Sequence, residues 1–421
     1  MAFSLPSINP IPRRYLRRLR SKFRSAISPA SSIASVQTSF NPHDTIKALR
    51  SHRWSVYDAK YLLLIIIAVF SLSISQAPGP MMKTAAASVL IGLLLMPATR
   101  QFFLPFLPIA TWLVFFFNAR FIPADYRPHI WVKVLPALEN IFYGANLSNI
   151  ISAHQHTVLD LLAWFPYGIL HFGGPVIWAI FMFLFAPPGT VPVYAQTFGY
   201  MNILGVAIQL IFPCSPPWYE NMYGLAPANY SMEGSPAGLR RIDQLFGVDM
   251  YTTNFTASPL VFGAFPSLHS GNAVLEALFM SHCFPKLRPF VIGYAMWMWW
   301  ATMYLSHHYA VDLVFGAFLA AASFYVAQTN FLPRIQMDKF LRWEYDYVEY
   351  GDAPASGYEY GLQDFGRDDF RHDSSDEWTI GSSSSISSGS RSPVDGSHSS
   401  WEGDTLASQA SDTELSELTT Q

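Results

Sequence analysis

Long apolar segments, separated by short polar ones, constrain this chain more than any other feature of its sequence. Only 13% of the 421 residues are charged, whereas a soluble domain usually carries about 25%. In a bilayer every backbone N–H and C=O must be satisfied internally, so apolar segments of this kind fold as helices. The sequence therefore predicts an all-α, polytopic membrane helix bundle of six to eight spans. The apolar segments are residues 61–76, 81–96, 102–117, 159–186, 191–212, 269–284, 290–305 and 309–329.

Composition divides the chain into three regions. Residues 1–55 contain the basic run RRYLRRLRSKFR and form a predicted cytosolic N-terminal region. Next to so apolar a chain, this run favours a contact with the membrane surface or a role in topology, and we expect no nucleic-acid partner. Residues 56–333 form the predicted membrane domain with the candidate catalytic residues. Residues 334–421 are acidic and serine-rich, which predicts a largely disordered cytosolic tail.

The placement of basic residues predicts the topology. By the positive-inside rule, the basic N-terminus, the segment PKLRP at 285–289 and the basic residues after 333 lie in the cytosol. Both termini are then cytosolic and the number of spans is even, which favours eight, with six as the alternative. His269 and His308 fall on the lumenal side. Three N-glycosylation sequons fall on the same side, and they begin at Asn146, Asn229 and Asn254.

Two histidines stand at the predicted lumenal ends of neighbouring spans. His269 lies in GAFPSLHSG, where Ser267 suits the start of a helix. His308 and Asp312 lie in YLSHHYAVDLVFG, four residues apart and hence on one helix face. A carboxylate in that position accepts the N–H of one imidazole nitrogen and leaves the other nitrogen basic, as in a catalytic triad.

This arrangement of residues predicts phosphoryl transfer. The amides of a helix start attract phosphate, so we expect Ser267 and Ser270 to contact a substrate phosphate. One histidine attacks the phosphorus while the other protonates the leaving oxygen, and neither step needs a metal or a cofactor. The predicted catalytic residues are His269, His308 and Asp312.

Three other interpretations remain open at this stage. A single histidine at a membrane interface is often structural. Here the two motifs that contain His269 and His308 lie about forty residues apart and at the same predicted membrane face, which weakens that interpretation. His269, His307, His308 and Asp312 offer ligands for iron or zinc, but a membrane di-metal site needs more histidines, and the others, such as His171, are scattered around another segment. Ionisable groups also mark the paths of transporters, yet here they cluster at one interface.

Four motifs carry a resemblance to a known family. FPSLHSG and HHYAVDL are similar to the second and third signature motifs of the type 2 phosphatidic acid phosphatase superfamily. GSPAGLRRID and LDLLAWFPYG resemble one branch of it, the fungal inositol phosphorylceramide synthase catalytic subunits, or aureobasidin A resistance proteins. The resemblance covers roughly residues 57–345 and implies the fold of that superfamily.

The resemblance also implies a reaction. Inositol phosphate moves from phosphatidylinositol to the primary hydroxyl of ceramide or phytoceramide, with release of diacylglycerol, at a site that faces the Golgi lumen. His308 is then the nucleophile that forms a phosphohistidine, Asp312 orients it, and His269 is the acid and then the base. A small regulatory membrane subunit is the implied partner. Because water attacks the same phosphohistidine, a lipid phosphate phosphatase remains an alternative.

The chain departs from the superfamily pattern in two places. Hydrolytic members carry a Lys/Arg-Pro motif upstream and an arginine six residues before the nucleophile, whereas this chain has GLRRID and Thr302. Arg240 and Arg241 are therefore the best candidates to bind the phosphate. Glu276, two turns into the membrane, invites a functional interpretation, but a buried hydrogen bond to a Tyr or Trp explains it as well.

Overall fold

The computed structural model describes residues 35–345 and 347–350, which fold into α-helices joined by short turns. Isolated bridges occur among these residues, but no β-strand does. The predicted all-α class is confirmed. The helices are α1 Pro42–Ser51, α2 Ala59–Ile74, α3 Pro80–Leu95, α4 Pro97–Asn118, α5 Val134–Tyr143, α6 Leu147–Ser152, α7 Thr157–Trp164, α8 His171–Phe185, α9 Thr190–Ile211, α10 Pro217–Tyr223, α11 Leu239–Phe246, α12 Met250–Thr256, α13 Leu268–Cys283, α14 Arg288–Tyr304 and α15 Ala310–Asn330.

Each apolar segment predicted from the sequence corresponds to a helix within a few residues. The segment 159–186 is one continuous helix, in which a π-helical turn, Phe165–Leu170, joins α7 to α8. Among the described residues, four helices are long and apolar enough to cross a membrane: Val56–Ile74, Pro97–Phe121, Thr157–Phe185 and Ala310–Asn330. The count of six to eight spans and the orientation of the termini stay predictions.

The outer surface of the bundle is apolar, as a lipid-facing surface must be. On α2, Leu62, Ile65, Ile66 and Val69 are between 57% and 61% exposed. A continuous apolar face of this kind is unfavourable in water, whereas acyl chains are as apolar as the side chains themselves. The chain is therefore a membrane protein.

The core lies where α13, α14 and α15 pack together and against α8 and α9. Phe279 and Met280 of α13 and Met298 of α14 are fully buried there. The ring of Tyr194 on α9 meets Phe279 edge to face, with 5.2 Å between ring centres. Since lipid competes equally for apolar side chains, close packing holds these helices together rather than the hydrophobic effect.

A close backbone contact joins the first turns of α13 and α15. Gly316 lies so near the carbonyl oxygen of Ser267 that a Cβ atom at this glycine would overlap it. The amide of Ser267 donates to the carbonyl of Asp312 at 3.1 Å, and the hydroxyl of Ser270 donates to the carbonyl of Leu313 at 2.6 Å. The glycine thus lets the two helices that begin at the histidine motifs share hydrogen bonds.

Parts of the two predicted terminal regions are described. Helix α1 lies within residues 1–55. Within residues 334–421, Leu341 and Tyr345 are buried, and the guanidinium of Arg342 lies 4.0 Å from the ring centre of Phe183. The first part of the predicted tail therefore packs on the helices, and its serine-rich part lies outside the described residues.

Replacing Gly316 with alanine is expected to lower the melting temperature of the protein in detergent. The added methyl meets a backbone carbonyl that has no rotamer to change, and overpacking of this kind costs roughly 1–3 kcal/mol. Gly293→Ala in α14 is the matched control, because a Cβ there meets nothing within 4 Å. Size-exclusion melting curves should separate the two variants. Equal melting temperatures would show that α15 shifts to accept the methyl.

Candidate active site

The structure brings His269, His308 and Asp312 together in a row. Nε2 of His308 lies 3.1 Å from Nδ1 of His269. On the other side of the same ring, Nδ1 lies 3.3 Å from Oδ2 of Asp312, an ion-pair distance slightly longer than a well-formed hydrogen bond. His308 therefore stands between an acid and a second imidazole.

The turn between α14 and α15 places His308. Ser306 adopts a left-handed conformation with φ of 60°, which for a non-glycine residue costs on the order of 1 kcal/mol. The amides of His307 and His308 both donate to the carbonyl oxygen of Thr302, at 3.0 and 3.4 Å. Thr302, the position where hydrolytic members have an arginine, is thus a fully buried anchor for the turn.

Asp312 sets the proton arrangement of the row. Its side chain is fully buried, and its Oδ2 also accepts the amide of Tyr309 at 3.2 Å. In the first turn of α15 the helix dipole favours a negative charge. An ionised Asp312 favours the tautomer of His308 with its proton on Nδ1. The lone pair on Nε2 is then free to accept the Nδ1–H of His269, an assignment that follows from the hydrogen-bond network.

Aromatic and imidazole rings surround the catalytic candidates, and two of them, Tyr167 and Phe255, are not among the residues predicted from the sequence. Tyr167 stacks on His269, with 4.5 Å between ring centres and an interplanar angle of 19°. The ring of His171 lies 4.4 Å from that of His269. His307 packs against Phe255 at 4.7 Å, and burial lowers the pKa of His307 to about 3. His307 is therefore neutral and acts as part of the wall.

The interpretation of His171 as a scattered histidine is wrong, because α8 delivers this side chain to His269. In the sequence, the signal for His171 is a histidine inside an apolar segment. In the structure, the signal is the π-helical turn that the preceding residues FPYGIL form. Such turns are frequent at functional sites. Among the described residues, no group of three or more His, Cys, Asp or Glu side chains is arranged to hold a metal ion.

Comparisons with known proteins agree with this geometry. Residues 130–326 match the model of the PAP2 superfamily. The chain is 52% identical to the inositol phosphorylceramide synthase catalytic subunit of Schizosaccharomyces pombe, over 78% of both chains. It is 45% identical to the inositol phosphorylceramide synthase of Candida albicans, over 78% of this chain and 69% of that one. For the catalytic subunit of Saccharomyces cerevisiae the identity is 44%, over 79% and 83%. No solved structure matches the chain.

The chain belongs to the inositol phosphorylceramide synthase family of the PAP2 superfamily. The predicted superfamily and its fold are therefore confirmed, and the transporter interpretation loses its support.

The two arginines predicted to bind phosphate differ in this member of the synthase family. Arg240 is exposed. The guanidinium of Arg241 donates to Oδ1 of Asp160 from Nε at 2.9 Å and from Nη2 at 2.6 Å. The hydroxyl of Tyr304 donates to the same oxygen at 2.8 Å. GSPAGLRRID and LDLLAWFPYG, the two motifs typical of this branch, thus bind each other, and a contact of either arginine with phosphate stays a prediction.

The chain also contains an Arg-Pro pair upstream of the histidine motifs, at residues 127–128. It is not among the cations predicted from the sequence to bind phosphate. The guanidinium of Arg127 donates to the carbonyl oxygens of Ile122 and Ala119 at 2.9 Å and of Arg120 at 3.0 Å. These hydrogen bonds brace the turn that follows α4.

The hydroxyls of Ser267 and Ser270 take part in the fold. Ser267 caps α13 by accepting the amide of Ser270 at 3.3 Å, and both side chains are fully buried. Contact of these hydroxyls with phosphate stays a prediction. The amides of Leu268 and His269 are first-turn N–H groups, which have no acceptor within their own helix.

Glu276 lies two turns deeper on α13 and is buried. The hydroxyl of Tyr294 and the indole N–H of Trp178 lie near its carboxyl group. These neighbours agree with the second interpretation of Glu276, and the role of this residue stays a prediction.

Removing either partner of the Arg241–Asp160 pair is expected to lower the melting temperature, because the remaining group loses its partner in a half-buried site. Each of Arg241→Ala and Asp160→Asn should cost roughly 1–3 kcal/mol. The double variant should cost less than the sum, since both changes remove the same contact. Arg240→Ala is the exposed control and should melt like the parent protein. Strict additivity of the two single effects would contradict an energetic coupling.

Proposed function

We propose that this chain transfers inositol phosphate from phosphatidylinositol to ceramide or phytoceramide through a phosphohistidine, giving inositol phosphorylceramide and diacylglycerol. The proposal is supported by the names of the relatives, inositol phosphorylceramide synthases, which place the step in sphingolipid biosynthesis. The observation that carries the mechanism is the contact between His308 and His269, with Asp312 behind His308.

In the first half-reaction, Nε2 of His308 attacks the phosphorus of phosphatidylinositol. The bond between phosphorus and the diacylglycerol oxygen breaks, and His269, which enters the cycle as an imidazolium, gives that oxygen a proton, so that diacylglycerol leaves and His269 becomes neutral. Asp312 balances the positive charge that develops on His308. The amides at the start of α13 face the negative charge on the phosphoryl oxygens. General acid help of this kind contributes roughly 100- to 10,000-fold in rate.

In the second half-reaction, the deprotonated His269 removes the proton from the primary hydroxyl of ceramide. The hydroxyl oxygen attacks the phosphorus, the P–N bond to His308 breaks, and inositol phosphorylceramide leaves. Both histidines then return to their starting protonation states, so atoms and protons balance over the cycle.

Burial of His308 and Asp312 favours ceramide over water as the acceptor. His308 is 5% exposed and Asp312 is fully buried, so a phosphohistidine at this place is shielded from solvent. A lipid phosphate phosphatase needs water at the same position. Exclusion of water is a recognised way to prevent hydrolysis of reactive intermediates, and a transferase depends on it.

We further propose a Golgi location, with the histidines on the lumenal side and both termini in the cytosol, as the positive-inside rule predicts. A small regulatory membrane subunit is the proposed partner. The names of two relatives contain the words "catalytic subunit", which supports the idea of a second subunit. Because two of its motifs resemble those of the aureobasidin A resistance proteins, we also expect aureobasidin A to inhibit the enzyme.

Membranes that contain the enzyme should convert labelled phosphatidylinositol into labelled inositol phosphorylceramide when ceramide is present. Without ceramide, little free inositol phosphate should appear. EDTA should leave the rate nearly unchanged, because two histidines and one acid account for every proton and bond in the proposed cycle. Loss of activity on chelation, restored by a transition metal, would revive the metal interpretation. Release of inositol phosphate at an equal rate with and without ceramide would make the chain a hydrolase.

A covalent label distinguishes the roles of the two histidines. Enzyme quenched after exposure to labelled phosphatidylinositol without ceramide should carry acid-labile, base-stable label. His308→Ala should carry none, because it lacks the nucleophile. His269→Ala should label slowly, and Asp312→Asn should label poorly, because its imidazole is misoriented. Label that persists in His308→Ala and disappears in His269→Ala would reverse the two roles, and headgroup transfer without either histidine would end the catalytic interpretation.

A further inference from the structure

A buried glutamate caps the helix that carries Asp312. Glu139 of α5 is 0% exposed. Its Oε1 accepts the amide of Ala310 at 3.1 Å, and its Oε2 accepts the amide of Val311 at 3.0 Å. The amide of Leu147, at the start of α6, lies near this carboxyl group. One carboxylate therefore satisfies the first two amides of α15, groups that otherwise have no partner within their own helix.

A second carboxylate binds the same turn from α10. Oε2 of Glu220 accepts the hydroxyl of Tyr309 at 2.9 Å and the side-chain amide of Asn146 at 2.9 Å. Asn146 begins one of the predicted sequons and caps α6, so its side chain already has a structural task. The next residue but one, Ser148, donates its hydroxyl to the carbonyl of Met303 at 3.0 Å.

These contacts hold the turn 306–309 from both sides. Before the turn, Ser148 binds the end of α14. After the turn, Glu139 binds the first two amides of α15. Between them lies the left-handed Ser306, a conformation that persists only where its surroundings hold it. The position of the His308 ring relative to Asp312 thus depends on groups outside both histidine motifs.

We propose that Glu139, supported by Glu220, is a positioning residue that fixes the distance between His308 and Asp312. The proposal rests on the proposed function. The N-terminal end of a helix attracts anions, and the carboxylate of Glu139 already occupies this end of α15. A substrate phosphate is therefore left with the other helix end, at the start of α13 beside Nε2 of His308. Neither glutamate touches substrate, so their effect should appear in the rate of the chemical steps.

Glu139→Gln tests the proposal in the full-length membrane enzyme. Glutamine has one acceptor oxygen, and its NH₂ group faces one of the two amides, so the first turn of α15 must move. Displacement of reacting groups by about 1 Å lowers rates strongly, and we expect kcat to fall roughly 10- to 100-fold. The KM values for phosphatidylinositol and ceramide should stay within about twofold of the parent values, because the substitution removes no contact with either substrate in the proposed mechanism.

Two controls accompany this variant. Glu233→Gln removes the same charge from an exposed position and should behave like the parent enzyme. Tyr309→Phe removes only the hydroxyl bond to Glu220, keeps the buried ring, and should lower kcat a few-fold at unchanged KM. If Glu139→Gln does not fold, Tyr309→Phe decides the question.

The outcomes separate the positioning role from the proposed function. An unchanged kcat in Glu139→Gln would overturn the positioning role; where that variant does not fold, an unchanged kcat in Tyr309→Phe would do so. A change that appears only in KM, or an equal loss of kcat in Glu233→Gln, would also overturn it. In the same series, an inactive but folded His308→Ala would leave the proposed function standing, whatever the result for Glu139. An active His308→Ala would instead refute the assignment of His308 as the nucleophile.

Discussion

The hydrogen bonds between the first turns of α13 and α15 are the constraint on which the site depends. They join the amide of Ser267 to Asp312 and the hydroxyl of Ser270 to Leu313, and they form only because Gly316 lacks a side chain. With the two helix starts fixed in this way, the backbone of α13 holds His269 next to His308. The arrangement of the site is therefore a consequence of helix packing, because two helices that meet at one end bring together two histidines 39 residues apart.

Buried acids near this end of the bundle are each supplied with several hydrogen-bond donors. An unpaired charge in a low-dielectric interior costs several kcal/mol, so every such acid needs its own donors. Asp160 accepts hydrogen bonds from the side chains of Arg241 and Tyr304. Although burial alone raises the pKa of Asp243, the amides and hydroxyl of the segment 251–252 hold this pKa below its usual value. The Asp160 contacts connect α11 to α7 and to the end of α14, and the Asp243 contacts connect α11 to α12.

The sequence alone predicted the features that depend on neighbours in the chain. Apolar segments located the helices within a few residues, and the spacing of His308 and Asp312 placed them on one helix face. Partners that depend on tertiary contact were missed. Glu139 lies 171 residues from Ala310, and Asp160 lies 81 from Arg241; no local pattern links either pair. Arg241 shows the limit most clearly, because its charge predicts a phosphate contact, which stays a prediction, whereas its observed partner Asp160 could not be inferred from the sequence.

The closed row of side chains also indicates which catalytic group moves. A phosphorus atom does not fit between two nitrogens 3.1 Å apart, so one ring must yield when phosphatidylinositol binds. His308 is tied to Asp312 and lies in a turn held by backbone bonds to Thr302. His269, by contrast, is held by its hydrogen bond to His308 and by ring contacts with Tyr167 and His171. The bond between the two histidines is lost whichever ring moves, and stacked rings slide past each other more easily than the remaining hydrogen bonds of the His308 turn break. We therefore infer that His308, the proposed nucleophile, stays fixed and that His269, the proposed acid–base group, swings aside, which places His269 next to the leaving oxygen as the phosphate enters.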